Sequence, residues 1–317
     1  MRELVEREIL PRFGDGPLRG LPDGATLPSP GERLVFTTDS FVVQPLEFPG
    51  GNIGDLAVHG TVNDLAVCGG EPKWLSLALI IEEGLPFAVL GRILDSVRAA
   101  ADACGVTVAT GDTKVVPCGQ GDGLYINTAG IGQALPEFAL SPAKICEGDC
   151  VLVSGNLADH GMAVMAARGG NGFVSCPQSD TGPVHRLVMA ARVCGGAVRY
   201  MRDPTRGGAA AVLNELVEGR GYGIVIKECD LPLAPAARAA AETLGIDPLH
   251  VASEGRVIMV CAPDAADEIL GLWRAMPEGA GAVRLGRVTG DRGRVILETI
   301  TGGRRLVDVP RGEILPR

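Results

Sequence analysis

The chain has 317 residues, with 29 Lys and Arg against 38 Asp and Glu, a formal net charge of −9 and 46% apolar content. That length and apolar fraction allow two domains, each with its own core. The acidic balance excludes a nucleic-acid surface, which needs clustered cations, and no apolar run reaches the roughly 20 residues of a membrane span.

The N-terminal stretch MRELVEREILPRF mixes charges with apolar residues and does not read as a secretory signal. Nine cysteines in no framework spacing predict reduced thiols and a cytoplasmic protein. The 45 glycines read equally as tight strand-to-helix turns, some lining a site, or as drift towards Ala and Gly in a GC-rich genome.

A strand is predicted over 33–44, followed by a helix over 53–69 with apolar positions near a 3.6 period and Asn63 and Asp64 upon it. A strand at 74–82, a helix at 87–104, and strands at 106–110 and 123–133 complete a mixed α/β unit. Residues 109–116, ATGDTKVV, read as a glycine turn following the strand. SPAKICEGDC then breaks the pattern, so the domains are placed at 1–145 and 146–317. The second half is predicted to hold strands at 151–155, 223–227, 257–261, 282–289 and 293–298, and helices at 159–169, 184–195, 207–218 and 234–244. This is a second α/β domain, with a basic, exposed tail from residue 301.

Neither a G-x-x-x-x-G-K-[ST] loop nor a strand-linked G-x-G-x-x-G is present, which argues against P-loop and Rossmann chemistry. Acids stand instead around the ends of apolar segments: Asp39, Asp64 and Asp112. Carboxylates so placed can converge on a Mg²⁺ ion that bridges nucleotide phosphates, with Thr113 as a hydrogen-bond donor and Lys114 as a point charge. Each terminal aspartate taken alone reads equally as a turn or cap residue.

Arg202-Asp203-Pro204-Thr205-Arg206-Gly207-Gly208 opens the predicted 207–218 helix, where unpaired N–H groups and two arginines suit an anion; a capped, salt-bridged helix start is the plainer alternative. Glu254, ahead of an apolar strand, is a candidate base or a turn carboxylate. Cys146 and Cys150 have no companion ligands at zinc spacing and read as small buried thiols. Of the four histidines only His59 shares the Asp64 helix.

TTDSFVVQPLEFPGGNIGDLAVHGTVNDLAVCGGEP, LIIEEG, TGDTKVV, INTAGIG, RDPTRGG and ASEGR together resemble the HypE family, carbamoyl dehydratases of nickel–iron hydrogenase maturation, within the aminoimidazole ribonucleotide synthetase-like superfamily. The resemblance implies a homodimer whose N-terminal mixed sheets pair across a two-fold into a barrel, with ATP between the domains. It implies a C-terminal cysteine carbamoylated by a HypF partner, ATP-dependent dehydration to a thiocyanate, and delivery of cyanide to a HypC–HypD complex. By matching motif, Asp39, Asp64 and Asp112 would hold Mg-ATP, assisted by Asn63 and Thr113, with Arg206 at the nucleotide. Lys114 would contact the reacting group and Glu254 would remove the amide proton.

Two departures from the family pattern stand out. Its chains end in Pro-Arg-Ile-Cys where this sequence stops at Leu315-Pro316-Arg317, and they carry a glycine-rich segment ahead of the first helix. The expectation is that both ends have been cut away or lie outside the structure, and that the chain as read binds and slowly hydrolyses ATP without completing the reaction. A selenophosphate or aminoimidazole ribonucleotide synthetase-like enzyme, and a non-catalytic ATP-binding scaffold, are the competing readings.

Overall fold

The structure, a computed structural model, describes residues 4–13, 24–169 and 176–309. Met1 and Leu315-Pro316-Arg317 lie outside the described residues. A helical segment at Val5–Ile9 runs into α1 (Leu10–Phe13).

The first sheet contains β1 (Leu34–Phe41), β4 (Gly70–Glu82), β5 (Thr107–Val116) and β6 (Leu124–Ala134) in the order β1-β6-β4-β5, with a short ribbon of β2 (Glu47–Phe48) and β3 (Gly51–Asn52) beside it. Only β4 and β5 run parallel, so the sheet is mixed as predicted. Period-2 alternation sends Leu75, Leu77, Leu79, Ile81, Leu124 and Ile126 to one face. There they pack on Leu56 and Val62 of α2 (Ile53–Val67) and Ile93, Leu94 and Val97 of α3 (Phe87–Cys104). The other face is uncovered, leaving Phe36 62% and Leu34 58% exposed.

α2 begins where a capping box forms: Asn52 Oδ1 accepts from Gly54 N at 2.7 Å, and Asp55 Oδ1 accepts from Asn52 N at 3.1 Å. α3 ends on Gly105 with φ 67°, a left-handed cap that glycine adopts without strain.

ATGDTKVV corrects the expectation of a turn. It lies within β5, in register with β4, where Ala78 faces Asp112 and Ile80 faces Lys114. Gly111 is required by closeness, since a Cβ there would sit 2.2 Å from the Leu77 carbonyl oxygen.

The second sheet has seven strands in the order β13-β12-β9-β11-β7-β10-β8. They are β7 (Cys150–Val153), β8 (Val198–Arg202), β9 (Gly223–Lys227), β10 (Ile258–Cys261), β11 (Val283–Thr289), β12 (Val295–Glu298) and β13 (Arg304–Leu306). β7 and β10 are buried at every residue because helices cover both faces. α4 (Asp159–Gly169), α5 (His185–Ala191), α6 (Gly208–Val217), α7 (Pro235–Leu244) and α8 (Ala266–Arg274) complete the unit.

β8 was not foreseen, and the tail is only partly free: β13 is exposed but pairs with β12, and Val307 is buried. All nine cysteines are free thiols, Cys146 exposed and Cys150 buried. No helix among the described residues is long and apolar enough to cross a membrane.

Candidate active site

A cavity of about 90 Å³ lies where the C-terminal end of β1, the middle of α2, the segment leaving β8 and the loop before β10 converge. Asp39, Asp64, Asp203, Arg206 and Glu254 line it, with Phe41, Val43 and Leu56 as an apolar wall. A second opening of about 510 Å³ shares Asp64, Asp203 and Thr205 with the first, so these residues form the partition. That volume lies in the range of small-molecule sites.

Electrostatics mark the cluster. Burial, opposed in part by the Thr37 hydroxyl that donates to Asp64 Oδ2 at 2.9 Å, raises the Asp64 carboxyl; the Asp39 charge adds to the rise. Burial and then the Asp64 charge push Asp203 up to about 7. Glu254 is raised well above the ordinary range by burial, then by Asp203, Asp180, Asp39 and Asp64. Acids that raise one another's proton affinity are relieved by a proton or by a bound cation.

A hard divalent cation takes oxygen ligands, and Mg²⁺ commonly uses one or two carboxylates plus substrate phosphates rather than an all-protein cage. Asp39 and Asp64 fit that demand. Among the described residues no group of three His, Cys, Asp or Glu could hold a metal ion.

The anticipated residues therefore divide. Asp39, Asp64, Arg206 and Glu254 line one cavity, whereas Asp112, Thr113 and Lys114 do not join them within one chain. Register explains why: Asp39 aligns with Thr128, Leu77 and Gly111, while Asp112 aligns with Ala78, Asn127 and Ser40. Asp112 is thus three strands away, about 14 Å, on the uncovered face, and Asp39 belongs to the helix-covered face. On its own edge Asp112 accepts from Lys114 Nζ and from Thr113 N, and these bonds hold its carboxyl below the usual carboxylate range.

Asn63 does not line the cavity. It is buried, its Nδ2 donates to the carbonyls of Gly182 at 3.0 Å and Glu254 at 3.2 Å, and its Oδ1 accepts from Val184 N at 2.7 Å. The amide is consumed by backbone and has little left for a nucleotide.

His59 lies on α2 away from the cavity, its Nδ1 3.4 Å from Thr181 Oγ1, and burial pushes it down to about 4. Sequence reasoning missed Asp203, His160 and His250 as cavity residues. Asp203 was visible inside RDPTRGG, but its arginine neighbours drew the reading towards an anion.

Residues 22–134 match the family described as AIR synthase related protein, N-terminal domain, and residues 147–298 the corresponding C-terminal domain. A relative from Rhizobium leguminosarum bv. viciae, named carbamoyl dehydratase HypE, is 46% identical over 319 residues, spanning 100% of this chain and 91% of its own. The chain belongs to the HypE family. A solved HypE structure in complex with ATP superposes with a TM-score of 0.94 at 38% identity, covering 99% of this chain and 95% of its own. A HypE–HypF complex gives a TM-score of 0.85 at 42% identity, covering 97% and 99%. The fold is thus the two-part fold of HypE proteins.

Proposed function

We propose that the chain is an ATP-dependent carbamoyl dehydratase, converting an S-carbamoyl cysteine and ATP to a thiocyanate, ADP and phosphate. The observation that carries this reading is the convergence of Asp39, Asp64, Asp203, Arg206 and Glu254 on one cavity in a HypE-family fold.

The carbamoyl oxygen is a poor leaving group until phosphorylated, so the site must tolerate charge growing at the γ-phosphoryl group. Mg²⁺ held by Asp39 and Asp64 would supply Lewis-acid charge neutralisation there. Arg206 adds a cation at the start of α6, beside Gly207, which lines the same cavity and begins the helix with φ 77°. Glu254, buried at the cavity wall, takes one amide proton, and the other leaves with the phosphate that carries off the carbamoyl oxygen. Its raised proton affinity suits it to accept that proton.

The site is completed by a second copy. Among the described residues β1 and β5 are both unpaired edges, and the uncovered face carries the exposed apolar side chains Leu34, Phe36 and Ile80, the kind of surface that marks an interaction site. Closing two such sheets into a barrel would set β1 of one protomer beside β5 of the other, so that the partner subunit's Asp112, Thr113 and Lys114 reach the Asp39–Asp64 cavity. A HypF carbamoyltransferase supplies the carbamoyl group, a HypC–HypD complex receives the cyanide, and the work is done in the cytoplasm. The domain division at 145/146 belongs to this reading.

The test is a mass measurement. The chain extended by Ile-Cys after Arg317 is carbamoylated with HypF and given Mg-ATP. Loss of one water supports dehydration, and an unchanged mass removes it.

A further inference from the structure

Glu254 is held by its backbone from both sides. Its N–H donates to Asp180 Oδ1 at 3.1 Å. Its carbonyl accepts from Asn63 Nδ2 at 3.2 Å and Gly182 N at 3.5 Å.

Asp180 does more than cap one peptide. The same Oδ1 accepts from His160 N at 3.1 Å, so one carboxylate oxygen ties together the backbones of two cavity-lining residues from different parts of the chain. The contact is close: a Cβ on Gly255 would lie 1.9 Å from the Asp180 carbonyl oxygen, a distance only glycine permits. The Asp180 side chain has no solvent exposure.

The remaining oxygen, Oδ2, lies 3.4 Å from Arg256 Nε, yet that N–H donates to the Asn156 carbonyl at 2.9 Å and Oδ2 has no hydrogen bond of its own. A buried carboxylate with one oxygen left without a hydrogen bond is costly to keep for stability alone. A charged acceptor holding two N–H groups is, however, among the firmest ways to fix a loop.

We propose that Asp180 is a positioning residue for the dehydration step, fixing the Glu254 and His160 backbones so that the Glu254 carboxylate meets the substrate. The inference rests on the reading of Glu254 as the base. Asp180 touches neither nucleotide nor substrate; it acts through the loop it holds. A displacement of about 1 Å at a reacting group costs on the order of 100-fold in rate, and the loop before β10 has no regular secondary structure to resist such a shift.

The experiment uses the full chain extended by Ile-Cys and carbamoylated at that cysteine. Single-turnover water loss is followed by intact mass at saturating Mg-ATP, with ATP affinity from a separate titration and folding from thermal unfolding. Asp180→Ala is expected to slow water loss by about 100-fold with an ATP Kd within about twofold of the parent. Asp180→Asn, which keeps an oxygen acceptor in place, is expected to recover at least about tenfold of that loss, since neutral acceptors make roughly half-strength bonds. Should the alanine variant fail to fold, Asp180→Ser takes its place, with a rate between those of the asparagine variant and the hundredfold loss. The proposal is overturned if Asp180→Asn is as slow as Asp180→Ala, if rate and ATP affinity fall in proportion, or if removing the carboxylate leaves the rate unchanged. A parent chain that loses no water overturns the dehydratase reading itself, and this inference with it.

Discussion

Lys114 Nζ lies 2.8 and 2.7 Å from the two carboxylate oxygens of Asp112, on the opposite edge of the first sheet from Asp39. Both side chains are more than 60% exposed, so the pair adds little stability. In the proposed dimer its worth lies in what it meets on a neighbouring copy. Asp64→Ala and Asp112→Ala should each abolish nucleotide turnover, yet co-folding the two variants should restore about a quarter of the parent activity. Half of random dimers are mixed, and each mixed dimer carries one intact site of two. No recovery on mixing would place Asp112 outside the shared site.

The dimer itself is tested at Phe36, 62% exposed on the uncovered sheet face. Phe36→Asp puts a charge where an apolar interface is expected and is expected to yield a folded chain that sediments at the mass of one copy. A dimer of unchanged stability would show that this face is not the interface.

Asn63→Ala leaves the Val184 N–H and the Gly182 and Glu254 carbonyls without their side-chain partner. The expected loss is about 3 kcal/mol of unfolding free energy, read from urea titration. A variant of parental stability with weakened ATP binding would return Asn63 to the nucleotide site.

His59 sets a pH dependence whose sign can be worked out. Burial, with a smaller contribution from His185, pushes its pKa down to about 4, below the unfolded value of about 6.5. The folded state therefore binds fewer protons, so the contribution is complete above pH 6.5 and is lost as the pH falls from 6.5 towards 4, by up to about 1.4 kcal/mol per pH unit. Asp55, pushed up to about 6 by burial, titrates in the opposite sense, so variant and parent are compared at each pH. His59→Gln should flatten the fall in unfolding free energy between pH 7 and 5; equal slopes would contradict the assignment.

Much of the fold was legible where local signals agree with packing. Helix 87–104 was found at its observed bounds because Pro86 and Gly105 punctuate a clear amphipathic period. β8 was missed because Val198–Arg202 is short, carries two arginines and buries its residues without alternation. ATGDTKVV was read as a turn because Gly-Asp is turn chemistry; parallel pairing with β4 overrode it, and Gly111 serves close approach instead. Asp39, Asp64, Arg206 and Glu254, singled out by residue type and motif, line one cavity. The separation of Asp112 could not be read that way, since it depends on strand order and on a one-residue difference in pleat parity. Asn63 shows the limit of residue chemistry, because an amide that suits a nucleotide suits a strand of backbone equally well.

The account stands on Asp39 and Asp64 holding a divalent cation under a triphosphate, and a crystal structure of the chain with Mg²⁺ and a non-hydrolysable ATP analogue tests it directly. The expected result is metal density within about 2.1 Å of an oxygen from each aspartate, with phosphates directed towards Arg206. A triphosphate bound elsewhere, or a metal that touches neither carboxylate, would contradict it.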